Sequence, residues 1–71
     1  MAKLLKEAKA KSIFVDYCIK LFAEENGKFV TYANNSNFNW GWVRVFNTKE
    51  EAEKDFYDSI ELFSHHKWEV K

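Results

Sequence analysis

The chain has 71 residues with 11 acidic and 11 basic side chains, a formal net charge of zero. That length predicts one domain spanning residues 1–71, near the lower limit for an unstapled core, because such a chain buries only roughly 60% of its unfolded surface. Zero net charge argues against a dedicated phosphate-backbone binder, and the single cysteine, Cys18, excludes an internal disulfide and a paired-cysteine metal site.

Three Trp, three Tyr and seven Phe supply the apolar mass that so short a chain needs, so they read first as core. The lysine-broken start, residues 1–7, does not resemble a signal peptide, and no apolar run reaches the roughly 18 residues of a membrane span. With one cysteine, this predicts a soluble cytoplasmic protein. Charge is unevenly spread: residues 1–20 balance at +3 and residues 48–63 at −4. Ten lysines, one arginine, no proline and many asparagines and phenylalanines fit an AT-rich genome, as in Gram-positive bacteria and many of their phages.

In chain order, residues 1–10 carry Lys3, Lys6 and Lys9 among alanines, and are expected to fray. Apolar residues from Leu4 to Glu25 fall on helical spacing, with Phe14, Tyr17, Cys18, Leu21 and Phe22 as the stripe, which predicts a first helix ended by Asn26-Gly27. Lys28 to Ala33 is short and rich in β-branched and aromatic types, and predicts a first strand. Asn34 to Asn37 follows as a turn.

Phe38 to Phe46 predicts a second strand, with Phe38, Trp40, Trp42, Arg44 and Phe46 on one face and Asn39, Gly41, Val43 and Val45 on the other. Either face is apolar enough to be buried. Gly41 between two tryptophans predicts a bulge or a close approach by another backbone. Thr48 with Glu51 forms a capping box, opening a second helix whose buried stripe is Ala52, Phe56, Ser59, Ile60 and Phe63. His66 to Val70 alternates as a short third strand. The expected fold is therefore α+β, in the order α-β-β-α-β, a three-stranded antiparallel sheet with the helices on one face.

No constellation for catalysis emerges. Cys18 sits in an apolar stripe, where a thiol is a small buried hydrophobe of low reactivity, and His65 and His66 on an extended segment point in opposite directions and do not share an ion. The carboxylates of the second helix suit its solvated face and its first turn. No catalytic residue, metal site or cofactor is therefore expected, and the chain reads as a non-enzyme.

Two binding surfaces remain. An aromatic sheet surface would comprise Trp40, Trp42, Arg44 and Tyr32, and an acidic helix would present Glu50, Glu53, Asp58 and Glu61 to a basic partner. The leading expectation is a small protein-binding module, of the kind a phage or mobile element uses to inhibit a host protein. The alternatives are weak binding of single-stranded nucleic acid, by bases stacking on the aromatic sheet, and a homodimer that hides surplus apolar surface against its own copy.

Overall fold

Ala8 and Ala10 are buried while Lys9 and Lys11 are exposed, a period of two that belongs to a strand and not to a helix. The computed structural model, which describes residues 2–71, accordingly forms β1 (Lys3–Lys11), β2 (Asp16–Ala23), β3 (Phe29–Asn35), β4 (Gly41–Phe46), α1 (Lys49–Leu62) and β5 (Trp68–Val70). The sheet has five strands in the order β4-β3-β2-β1-β5, every neighbouring pair antiparallel. This corrects the expected α-β-β-α-β order and three-stranded sheet. There is one helix among the described residues, and the segment from Leu4 to Glu25 that read as helical is a β-hairpin.

The physical reason lies in β2. Tyr17, Ile19 and Leu21 alternate with Cys18, Lys20 and Phe22, and the register sets Ile19 against Ala8 on one side and Ala33 on the other. Ile19 and Leu21 are fully buried, which a helix following the Tyr17-Cys18-Leu21-Phe22 stripe would not achieve for Ile19. The β1–β2 hairpin closes without Gly, Pro or Asn: Ser12 N donates to Val15 O at 2.9 Å, and the Ser12 hydroxyl bonds both Val15 O and Val15 N. A serine side chain thus does what a turn-forming residue usually does. Residues 3–10, part of the stretch 1–10 expected to fray, lie in β1 and are held between β2 and β5.

Asn26-Gly27 is a left-handed break as expected, but it turns a hairpin and ends no helix. Gly27 has φ +84°, Lys28 N donates to Asn26 Oδ1, and Glu24 N donates to Lys28 O. The capped helix is where the sequence puts it. Thr48 Oγ1 accepts from Glu51 N at 3.2 Å and donates to the Glu51 carboxylate at 3.0 Å.

Ala52, Phe56 and Ser59 of α1 are buried against Ile19, Leu21, Thr31 and Ala33. Each large side chain buried in this way stabilises the fold by roughly 1.5–3 kcal/mol. The helix covers β2, β3 and β4, and the opposite face of the sheet is left without a layer. Trp42, Arg44 and Phe46 turn toward α1 while Val43 and Val45 point outward, which decides the choice the strand pattern left open. The short β5 pairs with β1, Trp68 opposite Ala10 and Val70 opposite Ala8. Among the described residues no helix is long and apolar enough to cross a membrane.

Candidate functional site

Three connections meet at one end of the sheet: the Ser12–Val15 turn, the loop of residues 36–40, and the segment from Phe63 to Lys67 after α1. Ser36 ties the first two together, its N donating to Asp16 O at 2.9 Å and its hydroxyl accepting from Asp16 N at 3.1 Å. Asn35, nearly buried, then fixes the rest of the loop: its Oδ1 accepts from Asn39 N, its Nδ2 donates to Asn39 Oδ1 at 2.7 Å, and its carbonyl accepts from Phe38 N.

Phe38 is the one non-glycine residue with positive φ, +55°, among the described residues. A bulky side chain there is an outlier. The hydrogen-bonded frame holds it, and the ring projects into solvent, 79% exposed. Across the same end, Ile13 and Phe14 crown the Ser12–Val15 turn at 91% and 90% exposure. Three large apolar side chains therefore stand out from backbone that is pinned beneath them.

Below this crown lies an aromatic cluster. Trp40 packs edge-on against Tyr17 (5.1 Å between centroids), Trp42 (5.1 Å) and Phe63 (5.2 Å), and Trp42 stacks on Phe63 at 5.9 Å. His66 stacks on Tyr17 at 4.5 Å and lies 4.0 Å from His65. Trp68 donates its indole N–H to Phe63 O at 2.9 Å, anchoring the segment after α1. Such pairs contribute about 0.5–1.5 kcal/mol each beyond the area they bury, so the loop end is braced.

The four residues of the expected aromatic surface do not form one platform. Trp40 and Trp42 belong to this cluster, their rings engaged by Tyr17, Phe63 and one another. Trp42 Nε1 is buried with no hydrogen-bond partner. Arg44 lies over the Trp42 ring at 4.6 Å and donates to Asp55 Oδ1 at 2.6 Å, while the fully buried Thr31 hydroxyl donates to Asp55 Oδ2 at 2.7 Å. The arginine is thereby a strut between β4 and α1. Tyr32 faces the other way, on the uncovered side of the sheet, its hydroxyl accepting from Asn34 Nδ2 at 3.1 Å.

On the acidic helix, Glu53 pairs with Lys49 at 3.4 Å and Asp58 with Lys54 at 2.7 Å, whereas Glu50 and Glu61 are exposed. Part of the expected acidic surface is thus neutralised by the helix's own lysines. Cys18 lies on the uncovered side of the sheet, opposite to the face of Tyr17 and its stacked His66, so the thiol and the histidines do not meet. Burial pushes the Cys18 thiol up, with Glu7 adding to the rise and Lys20 and Lys9 opposing it. Among the described residues, no group of three or more His, Cys, Asp or Glu is placed to hold a metal ion.

Sequence reasoning missed Ile13 and Phe14 as surface residues. The available signal was Ile13-Phe14 directly after Ser12, two large apolar residues in a row where an alternating strand cannot bury both. No protein-family model matches the chain, and neither a curated protein nor a solved structure is significantly similar to it.

Proposed function

We propose that this chain is a non-enzymatic protein-binding module that engages its partner through the loop end of the sheet, with Ile13, Phe14 and Phe38 as the anchoring side chains. The observation that carries the reading is the near-complete exposure of Ile13 and Phe14 on a turn fixed by three hydrogen bonds. Large apolar side chains carried on a fixed turn need no backbone ordering on docking, and they fit the pocket-filling anchors that dominate protein interfaces. Lys11 and Asp16 flank the turn and supply the polar rim that such interfaces carry. The partner this surface suits is a folded protein with an apolar pocket. The composition is compatible with an inhibitor of a host protein carried by a phage or mobile element, so a Gram-positive bacterial lysate is the natural bait.

The test is affinity capture from such a lysate with the wild-type chain and with the double variant Ile13→Ser, Phe14→Ser. One stoichiometric partner held by the wild type and lost by the variant is the expected result. A partner retained by the variant, or no stoichiometric partner at all, overturns the reading.

A further inference from the structure

The strand β4 is an edge, paired with β3 on one side and with nothing on the other among the described residues. Along that outer side its alternate N–H and C=O groups are open, and an open edge is a template for another strand. The sheet's two edges are treated differently. The β5 edge is three residues long, contains Glu69 and is flanked by Lys67 and Lys71, which are the usual means of discouraging pairing. The β4 edge is six residues long, Gly-Trp-Val-Arg-Val-Phe, with no proline, lysine or acidic residue.

Apolar side chains also stand exposed on both sides of this strand. Val43 and Val45 are 62% and 63% exposed on the uncovered face. On the helix face, a groove between β4 and α1 is lined by Trp42, Arg44, Asp55 and Leu62, and Leu62 is 75% exposed. An edge with apolar surface above and below it is what a continuous sheet presents when cut in two.

We infer that β4 is the seam of a two-fold dimer, in which β4 of one copy pairs antiparallel with β4 of a second, Val43 opposite Val43. The occupant follows from self-complementarity. In a two-fold antiparallel pair, opposed side chains share a face, which leaves two central registers for this strand. Centred on Arg44, two guanidinium groups meet across the seam, a like-charge pair that destabilises. Centred on Val43, each Arg44 faces Trp42 of the other copy, repeating across the seam the guanidinium-on-indole contact already made within one chain. Val45 then lies opposite Gly41, which carries no side chain to oppose it. A chain with zero net charge adds no overall repulsion between copies. The ten-stranded sheet that results carries both helices on one face, so the two Leu62 side chains flank the same seam. This inference is independent of the loop-end reading, because the loop end and the β4 edge share no anchoring residue.

The experiment is sedimentation equilibrium of the full chain over a range of concentrations, with Val43→Lys beside the wild type. A mass rising to twice the 8.5 kDa of the chain in the wild type, and remaining at the chain mass in the variant, is expected. A wild type that stays at the chain mass at every concentration, or a folded variant that dimerises as readily as the wild type, overturns the proposal. The register is read separately in a Cys18→Ala background. Val43→Cys forms a covalent dimer under mild oxidation and Val45→Cys does not; the reverse result, or equal cross-linking, overturns the Val43-centred seam. Partner capture by Val43→Lys is unaffected if the two surfaces are distinct.

Discussion

Gly41 is the residue on which β4 depends. Its φ is +142°, and a Cβ built there lies 2.0 Å from the Ala33 carbonyl oxygen, a backbone atom that has nowhere to go. Gly41→Ala therefore destabilises by more than about 2 kcal/mol, combining backbone strain with a steric push on β3. A fall in the urea midpoint measures it. Asp55 is the second such residue, because two donors converge on its carboxylate. Asp55→Ala leaves the buried Thr31 hydroxyl without an acceptor and costs about 2 kcal/mol, while Asp55→Asn, which keeps one acceptor oxygen, recovers part of that loss in the same denaturation series. For Cys18 the folded-state pKa is raised above its ordinary 9.0, so the protein favours the neutral thiol. Its contribution is fully present below that value and is lost as pH rises through and beyond it. Urea midpoints measured on either side of pH 9 show the decline, and Cys18→Ala lessens it.

The secondary elements were unequally legible. The helix α1 could be read because its start is written locally, Thr48 and Glu51 satisfying each other's groups before any tertiary contact forms. Thr48→Ala is expected to cost about 1 kcal/mol, seen as a lower thermal midpoint. The β1–β2 hairpin could not be read in the same way. Tyr17, Cys18, Leu21 and Phe22 satisfy helical spacing and strand alternation at once, since Cys18 and Phe22 are only partly buried on the uncovered face. The decisive pattern was Ala8-Lys9-Ala10-Lys11, where small residues pass for helix formers until their burial against Ile19 and Trp68 is known. Ser12 closes the turn through its side chain, a device that composition does not announce. The candidate site was hidden for the same reason: Phe14 read as core in a helix and is instead the tip of a hairpin. Trp40 and Trp42 stand out in the sequence, but their partner Phe63 comes from a segment that only the fold brings near.

At the scale of the molecule, a core of few fully buried side chains coexists with apolar groups that contribute nothing to it. Ile13 and Phe14 make no contact with the core cluster, so the double serine variant is expected to unfold within about 0.5 kcal/mol of the wild type by chemical denaturation. That neutrality is what separates a binding residue from a stabilising one. The pairing of β5 with β1 has a different consequence. The contacts β1–β2, β2–β3 and β3–β4 each join strands adjacent in the chain, and only β5 must return across the intervening helix, with Lys71 N donating to Glu7 O at 2.7 Å as its last tie. Closing that long loop comes late, after the meander and α1 have something to offer it. The tail therefore behaves as a latch: its backbone amides exchange with solvent ahead of those of β2 and β3, and each opening briefly bares the flank of β1, a strand otherwise never offered to a neighbouring molecule.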